Sequence, residues 1–379
     1  MRIVDVEAFP ISVKIPPERS NTVGIGRMVK RDAVIVKVTT EDGIIGYGES
    51  HHARNPGSVA NLINTTMRDL VKGMDATDTT GVWSKVYRAQ IGSHGMGAGS
   101  VIALSGIDMA LWDARGKAVG WPIYKLLGGS ARAVPAYAGG GGSLGFNTPE
   151  ATVEEVRGFV GMGYRALKIR LGQGRKQDVA RLEAVRKAFP DLVVLTDANT
   201  AYSLDDARYV MPALEALDIT WLEEPFPQHD MRSYQIASGF SRTPLALGEN
   251  TYTRFEFVPH IEAGHVQILQ PDVGKCGGVT EIMRIAAHAS AYKIQIHPHG
   301  GVTGLDLMAG IHILSAIENG GYFESSEGYN PLRNGPIVGD AYTIGADGCV
   351  RASDKPGLGL EVDEAFIKAH PVLEGPGFV

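Results

Sequence analysis

Between residues 134 and 326, short apolar runs alternate with longer amphipathic stretches. The runs are rich in β-branched residues and predict buried strands, while the stretches between them predict helices. Some helices have recognisable starts, such as Pro149 after Thr148, or Ser203 before an amphipathic segment. The eight predicted strands are VPAYAGG (134–140), YRALKIR (164–170), LVVLTD (192–197), ITWLEE (219–224), PLALGE (244–249), VQILQPD (266–272), IQIHPH (294–299) and GYFESS (321–326).

This alternation predicts an α/β fold made of parallel strands. The strands recur at roughly 25 to 30 residues with a helix between each pair, which is typical of βαβ units. Eight such units close a TIM-type barrel, here a (β/α)7–8 barrel. An open doubly wound sheet is the alternative, and it would need a glycine-rich fingerprint after its first strand. The GGGG at 139–142 lacks the required G-x-G-x-x-G order and the acidic partner, so it does not indicate nucleotide binding.

The segments on either side of the barrel have a different pattern. In residues 1–125, strand-like runs come first, two of them joined by the turn EDG as a hairpin, and helical patterns follow. We expect these residues to form an α+β capping domain. Residues 126–326 would form the barrel, and the Gly- and Pro-rich residues 327–379 would return to the cap.

Composition excludes several classes of partner. The formal net charge is −6 and no basic block occurs, which argues against a nucleic-acid or anionic-membrane surface. The two cysteines, Cys276 and Cys349, do not form a disulfide scaffold. Charges and prolines interrupt the first residues before a signal-like apolar region can form, and no run is long enough to span a membrane. A cytoplasmic protein is the expectation.

Candidate chemistry lies where the strands end, because TIM barrels carry their active sites at the C-terminal ends of the strands. Three of the acids there recur at intervals of 26 residues, so three successive strands present a carboxylate at the same level. The polar residues at the strand ends are Lys168, Arg170, Asp197, Asn199, Glu223, Glu249, Asp272, His299 and Glu324.

Three converging carboxylates predict a metal site. Asp197, Glu223 and Glu249 would repel each other without a cation, and a ligand set made only of oxygen suits a hard ion such as Mg²⁺. The alternative is that each acid caps a helix or pairs with a cation at the barrel edge. Adjacent strand residues face opposite sides, so Glu224 is expected to point away from Glu223.

The His297-x-His299 pair has two interpretations. In a barrel-type zinc hydrolase such a pair would bind metal, but on the first strand and with further histidines. Here the pair lies on the seventh strand. An acid/base role for His299 is favoured, with Asp272 on the preceding strand fixing its tautomer, and His297 is interpreted as structural.

Lys168 and Arg170 share one face of their strand, since they are two residues apart. Two unpaired charges would be costly to bury in an ordinary core, so an anion or a proton-transfer role is indicated. The alternative is that they simply pair with the acids of the third and eighth strands.

Several motifs together resemble the enolase superfamily, and within it the mandelate racemase subgroup. They extend over essentially the whole chain: ALSGIDMALWDARGKAVGWPIYKLLGG (103–129), DAN (197–199), WLEEP (221–225), GEN (248–250), LQPDVGKCGG (269–278) and the ending HPH. The resemblance implies Mg²⁺ on Asp197, Glu223 and Glu249, an Asp272–His299 dyad, and an acid at Glu324. It also implies that cap loops near residues 16–28 and 50–56 choose the substrate, and that the chain forms a homo-oligomer.

Members of this group remove the proton next to a substrate carboxylate, so cations must hold the resulting enediolate. The racemases of the family have Lys-x-Lys on the second strand, whereas this chain has Arg170 in the second position. Arginine stays protonated, so it is a poor base but a good carboxylate ligand. This favours elimination over racemisation, with a protonated Glu324 donating to a substrate oxygen. Lys168 and His299 both remain candidates for the base, and a racemase remains the alternative; a cycloisomerase would carry a lysine in place of the dyad.

The elimination would convert a sugar acid to a 2-keto-3-deoxy acid and water. The cap offers several possible contacts for anions or hydroxyl groups, which favours a diacid substrate similar to galactarate. These residues are Arg19, His51, His52, Arg54 and His94.

Overall fold

The computed structural model describes residues 1–140 and 144–379, so Gly141 and Gly142 of the GGGG segment lie outside the described residues. The strands are β1 (Ile3–Lys14), β2 (Thr22–Val23), β3 (Gly26–Arg27), β4 (Lys30–Thr40), β5 (Ile45–Ser50), β6 (Val134–Gly139), β7 (Ala166–Arg170), β8 (Val193–Asp197), β9 (Leu222–Glu223), β10 (Leu245–Leu247), β11 (Ile268–Leu269), β12 (Gln295–Ile296), β13 (Phe323–Ser326) and β14 (Cys349–Val350).

The helices are α1 (Pro56–Leu62), α2 (Arg68–Val71), α3 (Thr79–Val86), α4 (Ala98–Val119), α5 (Ile123–Leu126), α6 (Pro149–Gly161), α7 (Arg175–Ala188), α8 (Leu204–Ala216), α9 (Met231–Ala237), α10 (Thr253–Ala263), α11 (Gly278–Ala291), α12 (Gly304–Leu314) and α13 (Glu364–Ala369). Single turns of other helix types cover Pro17–Arg19, Ile63–Met67 and Tyr87–Ile91. Within the described ranges, no helix is long and apolar enough to cross a membrane.

Eight parallel strands curl into the barrel, which confirms the predicted fold class. Neighbouring strands follow chain order from β6 to β12, and β13 pairs with the opposite edge of β6. A parallel bridge between Ile296 and Gly320 brings β12 to the residues before β13. Each strand lies within one of the eight apolar runs, although β9, β11 and β12 are only two residues long.

A small apolar cluster fills the inside of the barrel directly below the strand ends. Because side chains two residues apart share a strand face, the next inward positions continue upward from this cluster. Lys168 follows Ala166 in this way, Asp197 follows Leu195, and Glu223 follows Trp221. The buried members of the cluster are Tyr137, Ala166, Leu195, Trp221, Ala246 and Ile268.

The N-terminal residues form an antiparallel sheet in the order β1-β4-β5, and α4 packs against it. Gly46 and Gly48 allow this close approach, because a Cβ at either position would collide with the α4 backbone at Ala110 or Gly106. Residues after β13 return to this sheet. The Ser12 amide donates to the His370 carbonyl (3.2 Å), and the Val379 amide donates to the Arg27 carbonyl (2.9 Å).

Candidate active site

A cavity of about 230 Å³ lies at the C-terminal ends of the barrel strands and is covered by the cap. Three parts of the chain therefore meet at one site. The barrel contributes Arg170, Asn199, Glu224, Glu249, Lys275 and His299; the cap contributes Lys30, Arg31, His51, His52 and Arg54; the tail contributes Phe378.

Lys168 lies among the carboxylates of three other barrel strands, β8, β9 and β13, and is fully buried. Its Nζ is 2.8 and 2.9 Å from the two oxygens of Glu223, 2.8 Å from Glu324 Oε1 and 3.5 Å from Asp197 Oδ2. It does not line the cavity. The amine is thus held among these carboxylates by charge pairing, outside the cavity wall.

Arg170, by contrast, lines the cavity and pairs through Nη1 with Asp197. Asn199 completes the contacts of that carboxylate, with its amide N–H donating to Oδ1 (2.8 Å) and its Nδ2 donating to Oδ2 (3.2 Å). Both cations of β7 therefore pair with acids of the third and eighth strands, β8 and β13, as the alternative expected, and Lys168 also pairs with Glu223 of the fourth strand, β9.

Asp197, Glu223 and Glu249 stand at the ends of three adjacent strands, and Asp197 is paired in register with Glu223. Among the described residues, no group of three His, Cys, Asp or Glu side chains is placed to hold a metal ion jointly. Each predicted ligand contacts a cationic side chain: Asp197 contacts Arg170, Glu223 contacts Lys168, and Glu249 contacts Lys275 and His299. Nevertheless, buried carboxylate oxygens are the donors that Mg²⁺ prefers, so the donor set fits this ion once those cations withdraw.

His299 bridges two carboxylates. Its Nδ1 is 2.8 Å from Asp272 Oδ2, and its Nε2 is 2.9 Å from Glu249 Oε2. Burial alone would lower the pKa of His299, but the charges of Glu249 and Glu324 and the hydrogen bond to Asp272 raise it to about 10. The imidazole is therefore positively charged while Glu249 occupies its Nε2.

Glu324 lies on β13, opposite Lys168. Burial alone would raise the pKa of this carboxyl group, but the charges of Lys168, His299 and Arg170 outweigh burial and lower it to about 2. Glu324 is accordingly ionised here, and it accepts a hydrogen bond from the Gly300 amide (2.9 Å). The protonated form expected from the sequence is not the form that this arrangement favours.

His297 does not contribute to the site. Its ring packs against Trp221, with centroids 4.9 Å apart, and its Nδ1 accepts a hydrogen bond from the Tyr322 amide (2.8 Å). Its Nε2 is 3.2 Å from Gln295 Oε1. Both ring nitrogens are thus engaged with the protein, which removes the basis for a zinc-binding His297–His299 pair.

The expectation that Glu224 points away from the site is wrong. Strand β9 ends at Glu223, and Glu224 adopts a left-handed backbone conformation with φ of 35°, so strand alternation no longer applies. Glu224 lines the cavity, and Asn250 Nδ2 donates to its Oε2 (2.7 Å). Burial and the charge of Glu249 raise its pKa to about 8.

Lys275 was not recognised in the sequence. It lies in the loop after β11 and lines the cavity, with its Nζ 3.5 Å from Glu249 Oε2. Its place in the sequence, three residues after Asp272 and shortly before Gly277 and Gly278, could have indicated that it lies at the site. Lys275 and His299 thus both place a positive charge next to the Glu249 carboxylate.

Two cap histidines face the cavity in a defined tautomer. The Ala53 amide donates to His51 Nδ1 (3.1 Å), and the Arg54 amide donates to His52 Nδ1 (2.9 Å). In the neutral ring the proton therefore sits on Nε2. Desolvation lowers the pKa of His51 well below its usual value and that of His52 to about 3, so both are neutral donors.

Arg19 and His94 are not part of this cavity. Arg19 lines a separate shallow pocket, where its guanidinium lies 5.8 Å from the centre of the Tyr329 ring. His94 is exposed and its Nδ1 is 2.9 Å from Ser93 Oγ. Of the predicted cap contacts, the structure therefore brings His51, His52 and Arg54 to the site.

Comparison with known proteins agrees with this architecture. Residues 6–128 match the mandelate racemase / muconate lactonizing enzyme N-terminal domain, and residues 151–366 match the enolase C-terminal domain-like family. The chain belongs to the mandelate racemase subgroup of the enolase superfamily. Within the superfamily, an arabinonate dehydratase of Saccharolobus solfataricus is 31% identical, with 89% of this chain and 90% of the relative covered. A D-galactarolactone cycloisomerase of Agrobacterium fabrum is also 31% identical, over the same shares of the two chains.

Solved structures of the superfamily superpose closely on this chain. A member from Polaromonas sp. JS666 is 49% identical and has a TM-score of 0.97, with both chains fully covered. A racemase from Streptomyces coelicolor with bound magnesium is 27% identical and has a TM-score of 0.87, with 98% of this chain and 100% of that chain covered.

Proposed function

We propose that this enzyme is a Mg²⁺-dependent sugar-acid dehydratase, a hydro-lyase. The observation that carries the proposal is the asymmetry of the cavity. One side presents the His299–Asp272 pair, whereas the other presents Arg170, which cannot accept a proton. A histidine base that faces a cation unable to accept a proton suits elimination, in which the base takes a proton and then returns it. The name of the arabinonate dehydratase supports the same class.

The proposed reaction uses His299 twice. Its Nε2 takes the α-proton as the C–H bond breaks, and the electron pair forms an enediolate with the carboxylate. The C–O bond to the β-hydroxyl group then breaks, and His299 returns a proton to the departing oxygen, which leaves as water. The resulting enol becomes a 2-keto-3-deoxy acid. Before it can act as a base, His299 must part from Glu249 Oε2, which lies 2.9 Å from Nε2 here, and lose the Nε2 proton to solvent.

Positive charge beside the substrate carboxylate would stabilise the enediolate. Asp197, Glu223 and Glu249 would hold Mg²⁺, which supplies this charge when bound. Arg170 lines the cavity and would bind a carboxylate oxygen through its guanidinium group. Lys168 is buried below and would act through the carboxylates that it contacts.

The cap side of the cavity supports a polyhydroxylated diacid similar to galactarate. His51 and His52 offer neutral N–H groups that suit hydroxyl oxygens, and Arg54 offers a cation on the cavity wall. Arg19, also predicted to bind substrate, would need the loop that carries it to move.

Three further expectations remain predictions: a cytoplasmic location, a homo-oligomer, and division of the chain into a cap (1–125), a barrel (126–326) and a returning tail (327–379).

The proposal is tested by proton NMR of the enzyme with Mg²⁺ in D₂O against a panel of aldonic and aldaric acids. We expect a new methylene signal, in part deuterated, next to a ketone. The same enzyme with excess EDTA is the control and should be inactive. An α-proton signal that disappears while the carbon skeleton stays intact would mean racemisation and would contradict the proposal.

A cycloisomerase is the second candidate, because the Agrobacterium fabrum relative with that name is as similar as the dehydratase. The panel should therefore include sugar-acid lactones. Opening of a lactone ring without loss of water would favour this function over dehydration.

A further inference from the structure

The loop that follows His299 is held by a cap residue, Glu49. The Val302 amide donates to Glu49 Oε1 (3.2 Å), and the Thr303 amide donates to Glu49 Oε2 (2.9 Å). The Thr303 hydroxyl also donates to Oε2. Both oxygens of one carboxylate are thus used to fix two consecutive peptide units.

The two amides before these are also bound by carboxylates. The Gly300 amide donates to Glu324 Oε2 (2.9 Å), and the Gly301 amide donates to Asp306 Oδ1 (3.1 Å). Four consecutive N–H groups, at residues 300–303, therefore point at three buried acids. Such a run of amides fixes the path of the backbone immediately after His299.

Glu49 belongs to β5 of the cap, so it reaches across the boundary between cap and barrel. Two residues further along the chain, the His51 amide donates to the Gly274 carbonyl (2.9 Å). Gly274 lies two residues after Asp272, just as Gly301 lies two residues after His299. The end of β5 thus contacts both barrel loops that carry the dyad.

Glu49 is 1% exposed, and no ion pair involves it within the described part of the chain. Burying a carboxylate without a cation is costly unless hydrogen bonds compensate. The amides and hydroxyl of loop 300–303 provide that compensation, together with the favourable dipole at the start of α12. These hydrogen bonds offset the cost of burying the Glu49 carboxylate only when loop 300–303 has its observed position.

We propose that Glu49 is a positioning residue that holds loop 300–303, and with it His299, in the orientation needed for proton transfer. It also makes that orientation depend on the cap being seated on the barrel. The inference rests on the proposed function, in which His299 transfers the proton. It extends that function by placing one determinant of catalysis in the cap, outside the cavity wall.

The test compares Glu49→Ala and Glu49→Gln with Asp108→Ala. Asp108 is a matched control, because it is also a buried cap carboxylate that accepts a hydrogen bond from a barrel amide, at Thr280 (2.8 Å), but away from His299. Two quantities are measured: steady-state kinetics with the acid that the NMR panel identifies, and hydrogen exchange of the amides at residues 300–303 by mass spectrometry.

We expect Glu49→Ala to lower kcat about 100-fold with KM within about 3-fold, since a displaced proton-transfer group costs rate more than binding. Glu49→Gln keeps one acceptor oxygen and should fall between Ala and the wild type. Asp108→Ala should keep kcat within about 3-fold even if it is equally destabilised. Amides 300–303 should exchange faster in both Glu49 variants and not in the control.

Equal losses of kcat in Glu49→Ala and Asp108→Ala would overturn the proposal, because the role of Glu49 would then be general stability. So would full kcat in both Glu49 variants. The exchange measurement needs no substrate, so it separates this inference from the proposed function. If no acid is turned over but exchange increases only in the Glu49 variants, Glu49 positions the loop and the proposed function is wrong. If exchange is unchanged in the Glu49 variants, the inference about Glu49 is wrong.

Discussion

At the scale of single residues, the site is a set of acids, most of them paired with a protein cation. Lys168 contacts Glu223 and Glu324, and Arg170 contacts Asp197. These pairs offset the desolvation of buried charges, which would otherwise be costly. The same cations contact the carboxylate oxygens that would coordinate a metal ion. Metal binding must therefore replace these ion pairs with metal–oxygen contacts.

Glu249→Gln should abolish most of the stabilisation by Mg²⁺, because it removes one of three anionic ligands. A ligand present at 100 times its dissociation constant stabilises the fold by about 2.7 kcal/mol, so the wild type should melt several degrees higher with Mg²⁺. In Glu249→Gln this difference should shrink towards zero. Melting curves with and without Mg²⁺ measure it.

Glu262→Gln is the matched control, since Glu262 is an exposed acid on α10. It should keep the full Mg²⁺ effect. A Glu249 variant that is stabilised by Mg²⁺ as strongly as the wild type would remove Glu249 from the ligand set.

At the scale of elements, sequence reasoning succeeded within strands and failed in the turns that follow them. Alternation along β7, β8 and β9 correctly places Lys168, Asp197 and Glu223 on the inner face. Glu224 and Lys275 lie beyond the last paired residue of their strands, where φ and ψ no longer follow the strand pattern. Their side-chain directions depend on turn geometry, which alternation does not predict.

The tail is an element whose role was also not evident in the sequence. Residues 377–379 pair with the cap segment at Arg27–Val29, and Phe378 lines the cavity. The guanidinium group of Arg54 lies 5.1 Å from the centre of the Phe378 ring. Phe378 therefore forms part of the wall and also contacts a cation of the same wall, Arg54.

Phe378→Ala should raise KM about 3- to 10-fold, which corresponds to losing one cation–π contact and some apolar wall, with little change in kcat. Steady-state kinetics with the identified acid measure both constants. Phe255→Ala, at an exposed phenylalanine of α10, is the control and should leave both constants unchanged. A fall in kcat with unchanged KM would contradict a binding role for Phe378.

At the scale of the whole molecule, the site lies at the boundary between the cap and the barrel. One apolar cluster lies within the cap, whereas the barrel cluster extends into the cap at Ile35 and Met109. The elements of each part could be predicted from their own patterns. How they dock could not, because docking depends on shape and on contacts distant in sequence. Arg19 illustrates this limit: its loop reaches the cavity through Val23, Ile25 and Met28, as expected, yet the Arg19 side chain lies over Tyr329 outside it. Glu49 illustrates it too, as a buried acid whose partners are about 250 residues away.

The proposed chemistry also depends on this docking. The cap supplies His51 and His52, and the barrel supplies His299, so closure of the cap should exclude water from the proton transfer. Only His299 is proposed to exchange protons with the substrate. This assignment of the α-proton to His299, with Lys168 confined below the cavity, is the central claim.

The most direct test is the rate of α-proton exchange with D₂O catalysed by His299→Asn, followed by NMR beside product formation. The account predicts that this variant still binds Mg²⁺ but catalyses neither exchange nor dehydration. Exchange that continues at the wild-type rate without product would contradict it, because another group, with Lys168 the first candidate, would then be the base that removes the α-proton.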